Sequence, residues 1–290
     1  MMLGALEVST KTGTVLKGNI FKTPGSQTVV ILITGVEGNI RNNPFYTVIG
    51  KKLQQEKVDL IIGHTRDAFN RVAAFNAKTK VKEIYGAFDE DFGKSDDDVE
   101  AYLTYARNAG YSHIILGGQS FGANKVIHYL ANHHSTNIEH FLLMSPVDVE
   151  VLRKSITNRQ RQIIDEYLVN GDDNKILPFR MFRWLTSTAI NAKRWLDDDT
   201  LNNVHAANDG DFSQLEHVNY NGAMLIGMYD RFAGNSPKRY LENLNAHLLN
   251  KSENTLIYIP NTGHIYSHQE ERVAQEIKKL LKNWRLLKNG

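Results

Sequence analysis

Ile114-Ile115-Leu116-Gly117-Gly118-Gln119-Ser120-Phe121-Gly122-Ala123 decides the fold. Its first residues form an apolar run that reads as a buried strand, its centre is a turn of the form G-x-S-x-G, and the residues beyond it continue at helical spacing. A strand that turns straight into a helix leaves one residue at the tip, which here is Ser120. Gly118 and Gly122 stand where a side chain would collide with neighbouring backbone in so sharp a turn, and Gly117 adds room. The tip serine then carries a strained backbone and an exposed hydroxyl. The helix behind it aims its free N–H groups and the positive end of its dipole at the same spot. A bare G-x-S-x-G is common by chance; bounded by a strand and a helix it points to a nucleophile.

The elements on either side fall into alternation. Thr28-Val29-Val30-Ile31-Leu32-Ile33 is a continuous β-branched run, the pattern of a strand covered on both faces in a parallel sheet. Similar runs occur at 58–63, 139–144, 223–229 and 255–259, with helical patterns at 45–55, 95–108, 120–133, 237–249 and 269–284. Ser95 reads as the N-cap of its helix, with Asp96, Asp97 and Asp98 in the first turn. Residues 6–9 and 15–21 suggest an antiparallel hairpin at the start. No firm element is legible between 64 and 94. The fold class is therefore α/β, a doubly wound and mostly parallel sheet. The alternation stops between 149 and 220, where Ile163, Ile164, Tyr167 and Leu168, then Phe179, Phe182, Arg183 and Trp184, recur at helical spacing. This divides the chain into a core, 1–148 with 221–290, and a helical cap insertion, 149–220, that would roof the sheet's ligand crevice.

A serine is a weak nucleophile unless a base takes its proton and an acid orients that base. Asp230 follows one core strand and His264 the next, so both are expected at the carboxyl edge of the sheet beside Ser120. Each has a plainer reading: an Asp after a strand often starts an Asx turn, and His264 is one of eleven histidines. Three residues of the right types, in the order Ser, Asp, His and all at strand ends, favour a triad. Asp148, also just past a core strand, is the alternative acid. The developing oxyanion needs backbone donors, and the N–H groups of Val36 and Phe121 are placed to supply them. Trp184 and Arg183 are the candidate substrate-binding residues of the insertion, with an apolar or aromatic substrate and anionic groups near Arg180 or Arg183.

The matching residues, Gly118-Gln119-Ser120-Phe121-Gly122, Gly227-Met228-Tyr229-Asp230 and Gly263-His264, resemble the α/β-hydrolase superfamily over nearly the whole chain. The resemblance implies an eight-stranded sheet with a cap inserted after the sixth strand. Ser120 through His128-Tyr129-Leu130, with Ser145-Pro146-Val147-Asp148, is more loosely similar to the branch that includes fungal siderophore esterases. Two departures stand out. Most of the family has His-Gly after the third strand where this chain has Thr34-Gly35, so the support of that loop must differ. Gln119 replaces a frequent His.

At 290 residues, with 41% hydrophobic and 23% charged, the chain can bury a full core. A net charge of +2 and the lack of a basic stripe argue against nucleic acid. No apolar run spans a membrane, and the first residues lack a charged region followed by an apolar one, so a cytoplasmic location is expected. With no cysteine, disulfides and thiolate chemistry are excluded. The expectation is a serine esterase acting on a small-molecule ester, needing no metal or organic cofactor, with room for a homodimer. A peptidase or amidase, an acyltransferase, and a silent ligand-binding protein of the same fold are the alternatives.

Overall fold

The computed structural model describes residues 2–134 and 137–287. Strands β1 (Met2–Ser9) and β2 (Val15–Lys22) form the expected antiparallel hairpin, in register from Met2 opposite Lys22 to Ser9 opposite Val15. The buried runs become β3 (Thr28–Ile33) and β4 (Asp59–Gly63), and a short separate hairpin follows, β5 (Val72–Phe75) with β6 (Lys82–Tyr85). β7 (His113–Gln119), β8 (Ile138–Met144), β9 (Gly222–Gly227) and β10 (Thr255–Ile259) complete the main sheet. Its eight strands lie in the order β1-β2-β4-β3-β7-β8-β9-β10. β2 meets β4 antiparallel, and every pair from β4 to β10 is parallel. The fold class is the one the sequence implies.

Side chains alternate across each strand, so two cores form. Val29, Ile31 and Ile33 face one layer of helices, α2 (Ser95–Asn108), α3 (Phe121–Asn132) and α8 (Pro237–Ala246). Val30 and Leu32 face the other, α1 (Pro44–Gln55) and α9 (Glu270–Asn283), which pack on each other through Ile49, Leu53, Ile277 and Leu281. After β3 the chain steps to one side for β4 and returns to the other for β7. The carboxyl ends of β3 and β7 therefore flank the switch point where doubly wound sheets bind ligands.

Between β8 and β9 lie α4 (Val149–Arg153), α5 (Asn158–Val169), α6 (Ala189–Asp197) and α7 (Ser213–Glu216). Leu152, Ile164, Met181, Leu185 and Trp195 form a third apolar cluster with Ala87, Phe92 and Phe121. The insertion is tied down by polar bonds as well: Thr188 N–H donates to Phe88 O at 2.8 Å and Asn191 Nδ2 to Ala87 O at 3.0 Å. Among the described residues no helix is long and apolar enough to cross a membrane.

Three local expectations are corrected. The stretch from 64 to 94 is ordered: the β5–β6 hairpin leads into short 3-10 turns at Ala87–Asp89 and Phe92–Lys94. Residues 179–184 are not helical; Met181 N–H bonds Leu185 O at 2.8 Å to close a turn in which Phe182 and Arg183 have φ of 55° and 74°. Ser95 is the first helical residue rather than the cap, which falls on Lys94. The acidic run beside it serves tertiary contacts, since Asp98 pairs with Arg66 and Asp96 accepts from His128 and His133 at 2.8 and 3.1 Å.

Candidate active site

Ser120 stands between β7 and α3 with φ 59° and ψ −135°, a conformation that costs a non-glycine residue about 1–3 kcal/mol and persists only where its surroundings impose it. Here Ser120 N–H donates to Met144 O at 2.9 Å, and Ala123 N–H returns a bond to Ser120 O at 2.9 Å. The turn is packed too closely for side chains. A Cβ on Gly122 would lie 2.2 Å from Ile33 O, and one on Gly35 would lie 2.6 Å from Ser120 Cβ. The second contact shows how near the loop after β3 approaches the serine.

His264, on the turn after β10, meets Ser120 and Asp230 together. Its Nε2 lies 2.7 Å from Ser120 Oγ and its Nδ1 lies 2.8 Å from Asp230 Oδ2. A carboxylate against Nδ1 favours the proton there, which leaves the Nε2 lone pair facing the serine hydroxyl. Asp230 has no exposed side-chain surface, whereas His264 keeps 15% of its own. Asp230 uses both of its oxygens: Oδ1 accepts Phe232 N–H at 3.0 Å, closing an Asx turn, while Oδ2 faces the imidazole. Phe232 also packs edge-on against the His264 ring, with centroids 4.6 Å apart. Gln119, one residue before the serine, donates to His264 O at 3.0 Å and pins the histidine's own turn.

Asp148 is occupied elsewhere. Its Oδ1 caps α4 through Glu150 N–H at 3.0 Å and its Oδ2 accepts Ala206 N–H at 2.9 Å. The structure brings Asp230, and not Asp148, to His264.

Val36 and Phe121 border the cavity that opens over Ser120, and among the described residues neither N–H has an acceptor. The cavity encloses about 370 Å³. Phe121, Val147, Leu152, Trp184, Trp195 and Phe232 form its apolar wall, and Glu37, Asn42 and Asn43 its polar one. Trp184 is thus where the sequence suggested. Arg183 is not: it is exposed on the turn at 181–185, as Arg180 is before it, and neither lines the cavity. The cation at the mouth is Arg231, which stacks over Phe232 at 5.0 Å and has no ion-pair partner among the described residues. Its position next to Asp230 was a signal available in the sequence. Asn42, Asn43 and Glu37 had none, because loop residues reach a site through backbone path rather than periodicity. Among the described residues no group of three or more His, Asp or Glu side chains could hold a metal ion.

Residues 27–217 match the model of a family described as "Protein of unknown function (DUF1749)". No curated protein matches the sequence. Among solved structures the chain is similar to DcsB in complex with its substrate analogue, at 12% identity over 97% of this chain and 99% of that one, with a TM-score of 0.67. It is similar to Est1E from Butyrivibrio proteoclasticus with ferulic acid bound, at 15% identity over 96% and 98% of the two chains, TM-score 0.66. The α/β hydrolase GrgF from Penicillium sp. sh18 gives 13% identity over 97% and 99%, TM-score 0.65. With more than half of its length matched and the sheet laid out as above, the chain belongs to the DUF1749 family and has the α/β-hydrolase fold.

Proposed function

We propose that the protein is a serine hydrolase that cleaves a carboxylic ester through an acyl-enzyme intermediate. The observation that carries this reading is the continuous hydrogen-bonded chain from Ser120 Oγ through His264 to Asp230, at 2.7 and 2.8 Å, ending in a buried carboxylate. Ser120 attacks the acyl carbon as His264 Nε2 takes its proton. Asp230 keeps the imidazole in the required tautomer and stabilises the imidazolium. The Val36 and Phe121 N–H groups receive the oxyanion, a contribution of about 3 kcal/mol for each well-placed donor. His264 then gives its proton to the leaving alkoxide and activates the water that releases the acid.

The insertion acts as a cap, because Leu152, Trp184 and Trp195 contribute to the wall over the serine. Four aromatic rings, Phe121, Trp184, Trp195 and Phe232, suit an aromatic or extended apolar acyl group, and Est1E, which shares the fold, binds ferulic acid. Arg231 at the mouth suits a substrate carrying a carboxylate.

The test is labelling with a fluorophosphonate probe and mass mapping of the adduct, alongside turnover of p-nitrophenyl esters. The adduct is expected on Ser120 and absent in Ser120→Ala and His264→Ala. Arg231→Gln is expected to raise KM for a dicarboxylate half-ester several-fold and leave that for a neutral ester of similar size unchanged. A folded protein that neither labels nor turns over any ester would remove the hydrolase reading.

A further inference from the structure

Lys125 lies one turn into α3, four residues after Phe121, and its side chain is fully buried. A buried ammonium is tolerated only when its charge and its N–H donors are matched. Lys125 Nζ contacts Asp67 Oδ1 at 2.7 Å, Thr65 Oγ1 at 3.2 Å and Glu90 Oε1, three acceptors for three donors. Thr65 Oγ1 in turn donates to Asp67 Oδ1 at 2.5 Å. The serine and histidine touch none of these groups, so the proposed mechanism leaves them without a task.

Their connections run to the oxyanion donors. The backbone carbonyl of Asp67 accepts Glu37 N–H at 2.7 Å, and Glu37 is the neighbour of Val36 with a positive φ of 53°. One path thus leads from Phe121 down its helix to Lys125, across to Asp67, and back through Glu37 to Val36. The two donors are carried by separate segments, and this path links them through polar side chains beyond the β3–β7 ladder. It also answers the departure at Thr34-Gly35, since the loop after β3 is held from the Asp67 side.

We infer that Lys125 is a positioning residue which, with Asp67 and Glu90, braces the elbow helix against the loop after β3 and fixes the spacing of the Phe121 and Val36 N–H groups. This rests on the hydrolase reading. Asp67 Oδ2 and Glu90 Oε2 have no donor among the described residues. Burial and the neighbouring Asp67 push the Glu90 carboxyl well above the usual range.

The experiment compares Lys125→Met, Glu90→Gln and Lys125→Met/Asp67→Asn with wild type on a neutral p-nitrophenyl ester and a fluorophosphonate. The double variant removes the Lys125 ammonium together with its Asp67 partner, so it serves where the single variant could collapse around an unpaired Asp67 carboxylate. In both Lys125 variants kcat and the labelling rate are expected to fall about 10- to 100-fold with KM within about twofold, because donor spacing acts on the oxyanion and not on ground-state binding. Glu90→Gln, which keeps an oxygen to accept from Lys125 Nζ, is expected to keep kcat within about twofold. Folded Lys125 variants with wild-type kcat would overturn the inference alone, as would a loss of kcat that vanishes well below their melting temperatures. A folded wild type that neither labels nor hydrolyses any ester overturns this inference and the hydrolase reading together.

Discussion

Asp148 and Asp230 occupy equivalent places in the sequence, each just past a core strand, and what separates them is where their oxygens point. Both oxygens of Asp148 accept backbone N–H groups, whereas Asp230 keeps one for His264. Asp230→Asn is therefore expected to lower kcat by about 10³- to 10⁴-fold with little change in melting temperature, since the amide favours the wrong imidazole tautomer. Asp148→Asn is expected to leave kcat within about twofold and to cost about 1 kcal/mol through a weakened cap. Steady-state kinetics and thermal melting on both variants decide, and equal losses of kcat would assign the acid wrongly. Ser120, Asp230 and His264 were legible because each sits at a strand end that the alternation locates. Arg183 was misplaced for the opposite reason: apolar spacing implied a helix, and the turn at 181–185 sends its side chain outward.

At the scale of elements, the elbow depends on how closely α3 backs onto β3. A methyl group on Gly122 would lie 2.2 Å from Ile33 O and 2.7 Å from Thr34 O, backbone atoms at and just past the end of the central strand β3 that cannot yield. Gly122→Ala is expected to cost about 3 kcal/mol or more. Gly4→Ala serves as the control, because its new methyl would meet only the Ile20 side chain, at 3.8 Å. Chemical denaturation of both proteins gives the comparison, and a Gly122→Ala variant as stable as the control would mean that the turn is looser than its geometry. The β5–β6 hairpin was invisible for a related reason. Its four-residue strands contain Lys82 and Glu83 and have no buried face, and Asn76 anchors it through Thr12 O at 3.2 Å and its own turn, a tertiary contact that no local pattern announces.

Across the whole molecule, His64 clamps distant segments. Its Nδ1–H donates to Lys17 O on β2 at 2.7 Å, and its Nε2 accepts Ile40 N–H, ahead of α1, at 3.2 Å. Burial lowers its pKa from the usual imidazole value to about 4. Its folded-state pKa is depressed, so its stabilisation is complete above the unfolded pKa of about 6.5 and is lost as pH falls towards 4, where the unfolded chain takes up a proton that the native state refuses. The full difference is about 3 kcal/mol. Denaturant unfolding of wild type and His64→Gln at several pH values between 7 and 4 should show the wild type losing stability more steeply. Parallel curves would mean that His64 takes up its proton while folded.

The sequence by itself determined the sheet, its parallel sense, the layers of helices and the strand ends at which Ser120, Asp230 and His264 fall, because burial on two faces and the sharp glycine turn leave a local imprint. Only the tertiary structure decided which aspartate faces His264, which arginine stands at the cavity mouth, and that a buried lysine of the elbow helix pairs with Asp67 and Glu90. Those outcomes depend on side-chain direction and on contacts between segments far apart in the chain, where backbone spacing carries no record.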